Sequence, residues 1–272
     1  MLPNFWCCTS SDDTIALSLY RGGIAFFDTR TRNEIGSRIP STPDSDRCYL
    51  IAFSPDGKWI VIQGDHKLEC ALVLWNVKTC TRVKTIELKS ENPFERITYS
   101  ADGEKVMVVT RLGLFPGRLV FIWDVKTDKP LKRLEVQAFD VAISPDGSQI
   151  AIHDELGVKI IDVGTGDIDR QITPSNDSLW AGNDPIPQIV WSPNGQFLAS
   201  ATAKQSETKL YLLSLTRGSA RAPIQVLTRL ECLTTKYVRQ LAFSPDSSKV
   251  VAVLLDYITR RMTSLYINRA DD

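Results

Sequence analysis

Residues 51–62 read IAFSPDGKWIVI, and the fold can be worked out from this stretch outward. Ile51 and Phe53 place apolar side chains at a period of two, the spacing of a strand. Ser54-Pro55-Asp56-Gly57 is turn chemistry: proline fixes φ, aspartate bonds nearby backbone, and glycine accepts a positive φ. Trp59–Ile62 is then an unbroken apolar run, which suits a strand covered on both faces. The stretch predicts a hairpin whose second strand lies between two other layers.

The phrase returns along the chain. It reads ITYSADGEKVMVV at 97–109, VAISPDGSQIAI at 141–152, IVWSPNGQFLAS at 189–200 and LAFSPDSSKVVAV at 241–253, with a degraded copy, CCTSSDDTIALS, at 7–18. The turn serines are Ser10, Ser54, Ser100, Ser144, Ser192 and Ser244, spaced by 44, 46, 44, 48 and 52 residues. A second phrase follows each turn and closes a third strand. Its aligned pairs are Phe27-Asp28, Trp75-Asn76, Trp123-Asp124, Ile161-Asp162, Leu213-Ser214 and Ile267-Asn268. Weaker alternation predicts a fourth strand at 83–88, 131–136, 168–172 and 224–227. No stretch reads as a helix, because Pro, Gly and β-branched residues punctuate the chain too often.

Four short antiparallel strands every ~40–50 residues mark the blades of a β-propeller. The expected fold is all-β: one domain over 1–272 with about six four-stranded blades, roughly 5–40, 48–88, 95–136, 139–172, 187–228 and 239–271. The chain resembles the WD-repeat family over nearly all of 5–271, most specifically at Trp75-Asn76-Val77-Lys78-Thr79 and Trp123-Asp124-Val125-Lys126-Thr127. The other repeat positions are Asp28, Asp56, Asp102, Asp146, Asp162 and Asp246. The family's Gly-His dipeptide is absent, so its buried Asp–His network cannot form. Asp124 and Asp162 are expected to take turn hydroxyls or backbone N–H groups instead, since a buried unpaired carboxylate is costly. The last unit stops after its third strand. Three arrangements follow: a six-bladed ring with a thin closing blade, a fragment of a seven-bladed ring, or a chain that a partner completes.

Bulk properties narrow the function. The chain has 272 residues, enough for one large all-β domain. Thirty-two basic and thirty-two acidic residues balance, with no block of five like charges, which argues against a nucleic-acid partner. No apolar run reaches the ~20 residues of a membrane span, and the N-terminus does not read as a secretory signal. Cys7, Cys8, Cys48, Cys70, Cys80 and Cys232 are irregularly spaced and are read as reduced thiols, mostly on strands, in a cytoplasmic or nuclear protein.

A search for chemistry finds little. There is no nucleophile elbow, no His-Glu-x-x-His and no phosphate-binding glycine loop. Gly164-Thr165-Gly166 lacks the third glycine and the helix of a dinucleotide fingerprint. His66 and His153 lie beside acidic residues and are read as solvated loop residues rather than metal ligands. Neither a metal nor a cofactor is expected. Four Ser-Pro pairs coincide with the turns, so Thr42-Pro43 and Thr173-Pro174 are the better phosphorylation candidates.

The leading expectation is a non-enzymatic scaffold, monomeric unless a partner completes its ring, that presents a propeller face to proteins or peptides. The resemblance implies binding by the loops between blades and by those joining second to third strands. In those loops the aromatic and arginine candidates are Phe94, Arg96, Arg111, Phe115, Arg118, Trp180, Tyr237, Tyr257, Arg260 and Arg261. Two alternatives stand beside it: a propeller enzyme or its accessory domain, and a repeat sensor region of a larger signalling protein.

Overall fold

The computed structural model describes residues 7–9, 13–19, 23–40, 50–64, 71–88, 92, 94–113, 116–172, 188–204, 207–215, 225–233, 236–256, 259 and 261–268. Among these, every regular element is a strand. Sheet 1 holds β1 (Cys7–Thr9), β2 (Thr14–Leu19), β3 (Gly23–Asp28) and β4 (Glu34–Ile39). Sheet 2 holds β5 (Ile51–Phe53), β6 (Trp59–Gln63), β7 (Ala71–Asn76) and β8 (Thr81–Glu87). Sheet 3 holds β9 (Phe94–Tyr99), β10 (Lys105–Arg111), β11 (Gly117–Asp124) and β12 (Lys129–Gln137). Sheet 4 holds β13 (Asp140–Ile143), β14 (Gln149–Asp154), β15 (Gly157–Asp162) and β16 (Ile168–Ile172). Sheet 5 holds β17 (Gln188–Trp191), β18 (Phe197–Lys204), β19 (Glu207–Ser214) and β20 (Gln225–Leu233). Sheet 6 has three strands: β21 (Lys236–Phe243), β22 (Lys249–Asp256) and β23 (Met262–Asn268). Strands lie side by side in chain order within each sheet, and sheets 1–3 and 4–6 form two compact units.

Burial explains the unbroken apolar runs. In β6, Ile60 and Ile62 join the core shared with Ile24 and Phe26 of sheet 1, while Val61 joins the core shared with Val106, Val108 and Phe121 of sheet 3. In β18, Leu198 faces Ala151 and Ile160 of sheet 4, while Phe197 and Ala199 face Leu241 and Val250 of sheet 6. A strand between two sheets needs apolar side chains on both faces, so alternation disappears from its sequence. The outermost strands do the reverse. β12 is largely exposed and carries Lys129, Lys132, Arg133 and Glu135, charges that guard an open edge against pairing.

One expectation needs correction. His153 is not a solvated loop residue: it lies on β14 at 0 % exposure, because the strand continues through it to Asp154 and pairs it with Asp140. Of the described cysteines, Cys7, Cys8 and Cys232 lie on strands as expected, and Cys80 lies in the turn before β8, with φ +50 and its thiol donating to the Ser37 carbonyl at 2.9 Å. It is a free thiol, and burial pushes its pKa up.

Candidate interaction site

Each sheet has two ends, and they are built differently. At one end lie the serine turns. In five of them the first serine N–H and carbonyl close the turn identically: Ser54 N–H donates to the Trp59 carbonyl and accepts, through its own carbonyl, the Gly57 N–H, both at 2.9 Å. The Ser54 hydroxyl donates to Asp56 Oδ1 at 2.6 Å and accepts from the Trp59 N–H at 3.0 Å. Ser100/Asp102, Ser144/Asp146, Ser192/Asn194 and Ser244/Asp246 repeat the arrangement. The hydroxyl bond leads the effects that hold the Asp56 carboxyl below its ordinary pKa, and that of Asp246 falls to about 2 for the same reason. The serine hydroxyls, four of them buried and that of Ser244 half-buried, are thus committed to the turn.

The aspartate phrases close the same end. Asp124 Oδ1 accepts the Thr127 N–H at 2.6 Å and Asp162 Oδ1 the Thr165 N–H at 2.8 Å. Asp28 and Asn76 do likewise with Thr31 and Thr79. The fifth residue of each turn, Arg32, Cys80, Asp128 or Gly166, has a positive φ. The expected backbone donors are therefore found, and Asp124 meets them while half-buried rather than buried. Its carboxyl is held below the usual range chiefly by the Thr127 N–H. Trp75 packs beside Val77 and Cys80 into the core between sheets 1 and 2, and Trp123 into that between sheets 2 and 3, with the Lys84 ammonium 6.0 Å from its ring centre.

The other end carries the connections in which partner contacts were expected. Phe115, Trp180, Tyr257 and Arg260 lie outside the described residues. Tyr237 falls on β21, opposite Leu255, and Arg261 is exposed, its carbonyl accepting the Asp256 N–H at 2.9 Å. Arg96 is half-buried on β9 opposite Val109.

Phe94 is not a surface anchor. It is 6 % exposed and belongs to the core with Leu88 and Leu119. A bulge in β9 is the cause: Val109 pairs with Arg96 but Thr110 pairs with Phe94, so Glu95 is the extra residue. Arg118 is also buried, at 4 %, with Nη1 3.2 Å from Glu95 Oε2. Arg111 alone of these three is exposed, and its Nε donates to Glu95 Oε1 at 2.8 Å.

No family model matches the sequence, and no curated protein matches it. Among solved structures the chain is similar to the beta-propeller domain of Cps50 (Swd1) from Myceliophteria thermophila, at 9 % identity and a TM-score of 0.63, covering 100 % of this chain and 88 % of that one. The fold is that of a β-propeller.

One group within the propeller has the residue types of a nucleophilic triad. His153 Nδ1 and Ser200 Oγ are 3.1 Å apart, and Asp140 pairs with His153 in the β13–β14 ladder. All three are closed off from solvent: His153 and Ser200 are 0 % exposed and Asp140 is 7 % exposed. Asp140 Oδ1 accepts the Val141 N–H and Oδ2 the Ile189 N–H, so its carboxylate joins sheet 4 to sheet 5. Among the described residues no three His, Cys, Asp or Glu side chains are grouped as metal ligands. Glu95, Asp140 and Ser200 went unnoticed in the sequence. No motif marks them, and only the bulge and the approach of neighbouring sheets give them roles.

Proposed function

We propose that this propeller, built from divergent WD repeats, is a non-enzymatic platform that binds other proteins or peptides. Binding takes place at the end of the sheets opposite the serine turns. The observation behind this reading is the contrast between the serine turns and the connections opposite them. The five later serine turns span five residues each and share one set of hydrogen bonds. The second-to-third-strand and between-sheet connections instead range from two positions (155–156) to fifteen (173–187). A scaffold that keeps its serine turns uniform and varies the connections opposite them concentrates its specificity in the variable ones.

Affinity capture from a cell lysate with three baits tests the reading: the native chain, a Trp180→Ala/Tyr257→Ala variant, and a Lys58→Ala/Lys126→Ala variant altered at the serine-turn end, all matched in melting temperature. Proteins lost only from the first variant support it. Capture lost only from the second moves binding to the serine-turn end, and no reproducible capture by the native chain removes the interaction reading.

A further inference from the structure

The geometry points to an anion-reading site at the end of sheet 3, where Arg111, backed by Arg118 and held by Glu95, binds an acidic side chain of a partner peptide. This rests on the interaction reading above and gives that surface a chemistry.

The first observation is the register. Arg111 and Arg118 are directly opposed as the last pair of the β10–β11 ladder. Opposed residues share a face of the sheet with Cβ atoms ~5 Å apart, and like charges so placed are destabilising. The fold does not demand this pair. At the matching position the other ladders oppose Leu19 with Gly23, Gln63 with Leu72, Asp154 with Gly157, Lys204 with Glu207, and Leu255 with Met262. Two like charges occur in sheet 3 alone among these six.

The second observation is the bulge. It makes Glu95 the unpaired residue of β9 and aims its carboxylate at both arginines, Oε1 toward Arg111 Nε and Oε2 toward Arg118 Nη1. The one Glu95 carboxylate is thus shared between two guanidinium groups.

The third is the gradient of exposure. The side chains of Arg118, Glu95 and Arg111 are 5 %, 27 % and 60 % exposed. A buried cation lies at the base, the carboxylate covers it, and the second arginine stands at the lip. Among the described residues Arg111 donates only through Nε. Its terminal Nη edge is therefore available for a bidentate bond to a carboxylate or phosphate, a match lysine cannot make. The lip position suits an extended peptide passing over the sheet end. Glutamate and phosphoserine side chains present the same oxyanion chemistry.

Fluorescence anisotropy with three labelled ten-residue peptides tests the site: oligoglutamate, alternating phosphoserine-glycine, and oligolysine as control. Arg118 is left unaltered because it is buried. Arg111→Gln, confirmed to melt like the native protein, should weaken binding of an acidic peptide by about ten-fold or more, the loss of a charge-assisted bond. Glu95→Gln removes the competing carboxylate and should tighten the same binding several-fold. Preference between the two acidic peptides identifies the source of the oxyanion. Oligolysine binding equal to oligoglutamate, no acidic binding up to millimolar peptide, or binding unchanged in both variants would overturn the site. Lysate capture by the Arg111→Gln bait separates this from the broader reading: partners retained there, but lost from the Trp180→Ala/Tyr257→Ala bait, leave the interaction platform standing while this site falls.

Discussion

The backbone N–H of Asn194 donates to the hydroxyl of Ser247 across 3.1 Å and joins the serine turns of sheets 5 and 6. Ser247 stands where the earlier turns have Gly57, Gly103, Gly147 and Gly195, and it adopts the same left-handed backbone, φ +63, at 1 % exposure. A side chain in that conformation costs about 1 kcal/mol, and the hydroxyl bond offsets a similar amount. Ser247→Ala keeps the strain and loses the bond, so it is expected to lower stability by about 1 kcal/mol. Ser247→Gly loses both and should lie within about 0.5 kcal/mol of the native protein. Urea midpoints of the two variants decide this; equal losses would mean that the left-handed backbone contributes no strain, and a Ser247→Ala midpoint equal to the native one would mean that the bond contributes nothing.

Gly103 makes a related contact in sheets 2 and 3. Its φ is +74, and a Cβ added there would lie 3.3 Å from Pro55 Cδ, whereas one at Gly36, φ +66, would meet nothing within 4 Å. Gly103→Ala should therefore cost about 2 kcal/mol and Gly36→Ala about 1 kcal/mol, the second from backbone strain alone. Thermal melts that coincide for the two variants would remove the Pro55 contact from the account.

Phe94→Ala is expected to destabilise the protein by about 3–5 kcal/mol, as for other buried aromatic truncations. Any partner lost from that variant reports unfolding rather than a missing contact. A melt within a degree or two of the native one would return Phe94 to the surface.

His153 should give the protein an acid-sensitive limb. Burial lowers its pKa from 6.5 to about 3. Between those values the unfolded chain binds a proton that the native imidazole refuses. The stabilisation is therefore fully present above about pH 6.5 and declines as pH falls toward 3. Urea midpoints at pH 7 and 5.5, above the range where most carboxylates titrate, should differ more for the native chain than for His153→Leu. His66 is common to both proteins. The same pH dependence in the two would show that His153 is not the group responsible.

The hairpins and turns were legible in the sequence because they are local. A period of two, a Ser-Pro-Asp-Gly cluster and an aspartate three residues before a threonine act within a few bonds of one another, and the structure places Asp56, Asp102, Asp124 and Asp162 in those roles. Six repeats of such units implied the propeller without further information. The candidate site was legible only in part. Arg111, Arg118 and Phe94 drew notice as residue types suited to binding, but their exposure depends on register. One extra residue in β9 turns Phe94 into the core and Glu95 toward two arginines. The partnership of His153 with Ser200, forty-seven residues away, likewise comes from the packing of one sheet against the next. Local chemistry was enough to write the strands and turns; which side chains meet, and which remain exposed, was decided only when the sheets stacked.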